Sequence, residues 1–173
     1  MSGPRVIDWL LEEDQPAVRY WALVELLGGK ERDPEVQEAR RGISKRGWGR
    51  DLLALQGPKG FWERREPRNV KEWIDFLQFP PFRCTFWIGL VLSDLGLDAT
   101  NPQVKRVADL IFTYKLRLGS PFNFFFEEPC ISANAARMMT RFGFAEDRRV
   151  RKLFAWLLED QREDGGWNCS QGT

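Results

Sequence analysis

A chain of 173 residues, 43% of them hydrophobic, is long enough for one domain with a real core. Its 26 lysines and arginines nearly cancel 25 aspartates and glutamates, and the net charge of +1 gives no general pull toward nucleic acid or an anionic membrane. Histidine is absent, which excludes Ser-His-Asp and Cys-His nucleophile systems and histidine-ligated zinc, and leaves acid–base work to carboxylates, lysine, tyrosine or cysteine.

The N-terminus, "MSGPRVIDWLLEEDQP", carries acids where a signal peptide needs its apolar stretch. A cytoplasmic protein is expected. Three cysteines at wide spacing, Cys84, Cys130 and Cys169, fit reduced thiols better than a disulfide framework. The first clear helix is "PAVRYWALVELLGG", opened by Pro16 with Asp14 ahead of it as the candidate cap. Val18, Trp21, Ala22 and Leu26 fall on one helical face, Leu23 and Leu27 widen it, and Gly28 and Gly29 supply the stop. The basic run that follows, Arg40, Arg41, Lys45, Arg46 and Arg50, reads as a solvated face, with a diphosphate-holding patch as the sharper alternative.

Further along, "ERREPRNVKEWIDFLQFPPF" is rich in charge and proline and reads as an insertion near 63–82 with one short helix around Val70 to Leu77. "FWIGLVL" is the longest apolar run and ends at Ser93, far short of the roughly 18 residues a membrane-spanning helix requires. It and "ISANAARMMTRFG" lack a strong polar face and are expected to be covered on both sides, whereas "PQVKRVADLIFTYK" is amphipathic. Alternating β-strand patterns are missing. The fold class is all-α.

The organisation repeats. "YWALVELLGGKERDPEVQEARRGI", "FWIGLVLSDLGLDATNPQVKRVADLI" and "NAARMMTRFGFAEDRRVRKLFAWLL" each run from an apolar helix to a glycine (Gly28, Gly96, Gly143). A polar loop, a cap (Asp33, Asn101, Asp147) and a valine three residues on (Val36, Val104, Val150) then open a second helix. A single domain over 1–173, built from about three stacked αα-hairpins with buried helices inside and amphipathic ones outside, follows from this pattern.

Two stretches share a further signature. Gln161, Gly165 and Trp167 close the chain with three residues and then one between them, and Gln56, Gly60 and Trp62 repeat that spacing; Lys115 and Gly119 form a worn copy. A glutamine at a helix C-terminus can serve unpaired carbonyls or the next helix's amides, and glycine permits the chain to reverse. The tryptophan is expected to fold over the glutamine amide and tie one outer helix to its neighbour. These six residues read as a structural clamp.

This Gln-x3-Gly-x-Trp signature after a helical hairpin resembles the QW repeat of squalene–hopene and oxidosqualene cyclases, whose α/α-toroid architecture protein prenyltransferase β subunits share. The chain from "EPCISANAARMM" through "DGGWNC" also looks like a family of prenyltransferase- or cyclase-like bacterial and archaeal proteins. The resemblance implies part of an α/α toroid, with inner helices ringed by outer ones around an apolar cavity suited to isoprenoid chains. A full toroid uses five to six hairpins, so this chain is expected to be a fragment, a short paralogue, or a half-ring completed as a homodimer. The acidic Asp-x-Asp-Asp string of class II cyclases is not present, and the zinc-binding Asp, Cys and His set of prenyltransferases is not matched. No metal and no cofactor is expected.

"PFNFFFEEPC" is the most suggestive chemistry outside the clamp. Phe124, Phe125 and Phe126, together with Phe86 and Trp87, are the expected pocket lining, since ring faces stabilise cations. Glu127 and Glu128 are weak candidates for a general acid, because a carboxyl in apolar surroundings stays protonated. The plainer reading packs the phenylalanines in a core and sets the glutamates at a helix N-terminus. Cys84 and Cys130 stand at the starts of two inner helices and read as small buried hydrophobes, with a reactive thiol as the alternative. The expected function is a cyclase- or prenyltransferase-like domain holding an isoprenoid or other lipid. The alternative is a non-catalytic helical-repeat module that binds a protein or peptide.

Overall fold

The computed structural model describes residues 6–63, 65, 68, 69, 72, 84–117 and 129–168, with side chains to 113 in the second long segment. Every regular element among them is helical. A short α1 (Val6–Leu10), which the sequence pattern did not announce, precedes α2 (Pro16–Trp21), and α2 continues into a π-helical turn at Ala22–Leu26. Then come α3 (Pro34–Gly42), α4 (Gly47–Ala54), α5 (Thr85–Asp94) and α6 (Pro102–Arg117). The last pair is α7 (Pro129–Met139), which also runs into a π-helical turn at Thr140–Phe144, and α8 (Arg148–Glu159).

Local chemistry accounts for most boundaries. Pro16, Pro34 and Pro102 take the first helical position, where no amide hydrogen is required. Asn101 Oδ1 accepts the amides of Gln103 (2.8 Å) and Val104, and Asp147 accepts that of Arg149 (2.8 Å). Two expected caps differ. Gln15, not Asp14, sits at the N-cap of α2, and its side chain makes no cap bond. Asp33 holds the N-cap position of α3, but its carboxylate turns back to the amide of Lys30 (2.7 Å), three residues upstream. A local turn satisfies it before the helix does.

Each helix packs on its successor in pairs, α2 on α3, α5 on α6 and α7 on α8, while α5 also meets α4 and α7. The surrounded position of α5 explains its composition: Phe86, Ile88, Leu90 and Leu92 are all buried. In α6 and α8 the inward stripe is Val104, Val107, Ala108 and Ile111, then Val150, Leu153 and Leu157; charged residues take the other face, which on α8 also carries exposed Phe154 and Leu158. The three cap-plus-three valines, Val36, Val104 and Val150, are buried. α3 and α4 are two pieces of what the other pairs make as one helix, interrupted at Gly47, where a side chain would strike the Gln15 carboxamide and the Asp14 carbonyl. No helix among the described residues is long and apolar enough to cross a membrane.

Candidate functional site

The corners after α4 and α8 are built by the same bonds. Trp62 Nε1 donates to the carbonyl of Leu52 (2.8 Å), and Trp167 Nε1 to that of Leu157 (2.7 Å), each ten residues back in the last turns of the preceding helix. Gln56 Nε2 donates to the carbonyl of Gly60 (3.1 Å) and Gln161 Nε2 to that of Gly165 (2.7 Å). The backbones match as well, with Gly57 N to Phe61 O and Gly60 N to Gly57 O at one corner, and Arg162 N to Gly166 O and Gly165 N to Arg162 O at the other. Both glycines lie in the left-handed region, at φ 93° and 82°. The tryptophan therefore ties down its own helix. The link to the neighbouring helix falls to the glutamine, which donates from Gln56 Nε2 to the carbonyl of Gln103 in α6 (3.1 Å).

The two corners differ in what lies over them. Gln103 Nε2 reaches back to the Leu53 carbonyl (2.8 Å) and to Gln56 Oε1 (3.2 Å), and Arg106 approaches the same oxygen at 3.4 Å. A methyl group on Gly60 would meet Cβ of Arg106 at 3.1 Å and Cδ1 of Leu110 at 3.2 Å, whereas one on Gly165 would meet nothing within 4 Å. Leu53 is 3% exposed; its counterpart Leu158 is 70% exposed, with Phe154 at 44% and Trp167 at 46% beside it.

Directly after the first corner, Glu63 holds the start of α5. Its two carboxylate oxygens accept the Thr85 amide (2.9 Å) and the Thr85 hydroxyl (2.6 Å), and that hydroxyl in turn accepts the Trp62 amide (3.1 Å). Burial pushes the Glu63 carboxyl above its ordinary value, against the lowering effect of the Thr85 bonds. Cys84, the N-cap of α5, is fully buried, and burial, with the Glu63 charge adding to it, pushes its thiol up. It is a protonated core thiol at neutral pH. Cys130 differs: it is the second residue of α7, two positions past the one Cys84 occupies in α5, and it is exposed. The buried-hydrophobe reading holds for Cys84 and fails for Cys130.

Two grooves open on other parts of the described surface. One, of about 430 Å³, is lined almost entirely by apolar groups: Leu10, Val18, Trp21, Leu26, Trp48 and Leu95, with the single carboxylate of Glu25. Trp21 is fixed there by its indole donating to the Asp94 carbonyl (2.7 Å), and the Arg141 guanidinium lies 5.4 Å over its ring. Arg141 and Arg137 both pair with the Asp94 carboxylate. The second groove, of about 630 Å³, is lined mostly by charged and polar residues and runs between α3 and the α5–α6 loop. Arg40 sits in it between Glu31 (3.0 Å) and Asp98 (2.8 Å), 5.6 Å over the Tyr20 ring. Tyr20 donates to Glu31, and its pKa is pushed up to about 12, by burial first and by that bond second.

Of the expected lining residues, Phe86 is fully buried and meets Trp87 edge-on at 5.8 Å, and Trp87 is half-buried. Phe124, Phe125, Phe126, Glu127, Glu128, Gly119 and Cys169 lie outside the described residues, as do the Lys115 side chain and most of the insertion. Within the basic run, Arg40, Arg46 and Arg50 pair with acids, Arg46 with Glu13 and Arg50 with Asp51, while Arg41 and Lys45 line the polar groove. Among the described residues no three acids or cysteines gather as metal ligands. Glu63 is the residue that sequence reasoning missed. Its only signal is its place directly after a clamp tryptophan.

An all-α protein of packed helical pairs is what these elements define. Compared with family models, with curated proteins and with solved structures, the chain finds no match in any of the three.

Proposed function

We propose that the chain is a helical-hairpin domain of the cyclase/prenyltransferase toroid kind, binding an isoprenoid or other lipid chain. The observation that carries the ligand class is the apolar groove at Trp21 and Trp48. Its volume is that of a small-molecule site, and its walls are almost wholly apolar, with one carboxylate, the exposed Glu25. The two corners, alike in their four internal bonds and following the first and third helical pairs, support the toroid reading. Ring closure requires further hairpins, from a second copy or from another chain. A cytoplasmic setting, with the cysteines as thiols, belongs to the same reading.

Catalysis is not part of the proposal: the half-buried carboxyl of Glu63 is committed to Thr85 at both oxygens. Native mass spectrometry of the purified chain tests the reading. A co-purifying lipid-sized adduct, lost in a Trp21→Ala/Trp48→Ala variant that still shows wild-type helical circular dichroism, is the expected result; empty chains throughout would refute it.

A second reading has its own observation. The larger groove mixes Glu31, Arg40, Arg41, Lys45 and Asp98 around its walls, as a module that binds a peptide would. Empty chains in the lipid experiment would move the assignment there.

A further inference from the structure

The corner after α8 is finished internally and has no helix seated on it among the described residues, and the corner after α4 shows what such a surface receives. There, the first turns of α6 bond the Leu53 carbonyl, engage the Gln56 amide and pack on Gly60. At the second corner the same atoms are available: the Gln161 amide is exposed, Gly165 faces open space, and Leu158, Phe154 and Trp167 form an apolar stripe. Internal hydrogen bonding cannot explain the difference, because both corners complete the same four bonds.

Charge identifies the occupant. The rim of the open corner carries Glu159, Asp160, Glu163 and Asp164 against Arg162 alone, while Arg151 and Lys152 lie a turn or two further back along α8. The helix seated on the first corner presents Gln103, Lys105 and Arg106 in its opening turns. A second copy of this chain offers instead the start of α3, whose matching positions are Glu35, Gln37 and Glu38, with Glu31 and Asp33 beside them and only Lys30 and Arg32 in compensation. Acid would face acid there.

We infer that the open corner is a docking surface for another polypeptide, which supplies an α-helix with glutamine and basic residues in its first two turns. The glutamine amide engages Gln161 and the Leu158 carbonyl, apolar residues of the helix cover Leu158 and Trp167, and its lysine or arginine meets the acidic rim. This inference does not depend on the lipid reading, which concerns a different face.

The probe is a synthetic peptide of this chain's own residues 97–117, held helical by a side-chain staple replacing Asp109 and Thr113 and labelled at its N-terminus. Added to the intact protein and followed by fluorescence anisotropy, it should bind saturably in a roughly micromolar range, as small transient interfaces do. Leu158→Asp or Gln161→Ala in the protein, both at exposed positions, should weaken binding about tenfold or more. Glutamates in place of Lys105 and Arg106 of the peptide should do the same, and added salt should weaken the unaltered peptide. Absence of binding, or binding indifferent to Leu158→Asp or to the peptide's charge, overturns the proposal. So does a dimer in sedimentation equilibrium that Leu158→Asp dissolves, since the second copy would then be the occupant.

Discussion

The side-chain amides of Gln56 and Gln103 are interlocked: Gln56 donates to the Gln103 backbone carbonyl, and Gln103 donates to the Gln56 side-chain oxygen and to the Leu53 carbonyl. One residue ends a helix and the other begins the next outer helix, 47 positions away in the chain. A single pair of amides joins two helical pairs.

Replacing each clamp glutamine by alanine should therefore have unequal effects. Gln56→Ala removes bonds to two carbonyls and leaves the Gln103 amide short of a partner, a loss of about 2 kcal/mol. Gln161→Ala removes one exposed bond, to Gly165, and should cost about 0.5 kcal/mol or less. Urea midpoints of the two variants check the order; equal losses would mean that α6 gains nothing from Gln56.

The glycines make a second pair. Gly165→Ala carries only the strain of a left-handed backbone, about 1 kcal/mol. Gly60→Ala adds close contacts with Arg106 Cβ and Leu110 Cδ1 that must give by a few tenths of an ångström, and about 1 kcal/mol more is expected. Thermal melts of both variants separate the steric part from the conformational part.

Glu63 predicts a pH profile. Its carboxyl titrates above its ordinary value of 4.5 in the fold, so the fold binds the proton more tightly than the unfolded chain does. The stability this contributes is complete below the unfolded value and is lost as pH rises through the raised folded one. Glu63→Gln, which cannot ionise, should therefore gain stability relative to the unsubstituted chain as pH rises from 4 to 8. Asp147 has the opposite sign: the Arg149 guanidinium beside it lowers its carboxyl, so its contribution is lost as pH falls. It is common to both proteins and cancels in the difference. Denaturant midpoints for the pair across that range that run parallel would contradict the assignment.

The thiols should also separate. Cys84, buried and held protonated, should resist iodoacetamide in the native protein at pH 7.5, while exposed Cys130 reacts. Peptide mapping after a short pulse distinguishes them. Labelling of both at one rate would place Cys84 in an open segment.

The helices were legible because their signals are local. Proline at the first position, glycine at the stop and a buried valine three residues past each cap all act within one turn. The interruption between α3 and α4 was not legible, since Gly47 answers to Gln15 and Asp14, more than thirty positions away in the chain. At the candidate site the spacing of Gln56, Gly60 and Trp62 stands out in the sequence, but the atoms they serve do not. An indole can as well stack on an amide as donate to a carbonyl, and only the position of the last helical turn makes the Leu52 oxygen its partner. Glu63 was invisible for a related reason, since its partner Thr85 lies beyond the entire insertion.

Because every bond that closes a corner spans at most ten residues, the corner can form as soon as its own stretch of chain is free, with loop closure on the order of 10–100 ns. Assembly then has a natural direction. The bend after α4 draws on nothing outside its own stretch, whereas seating α6 on it brings together Gln56 and Gln103, 47 positions apart, and so carries the larger closure entropy.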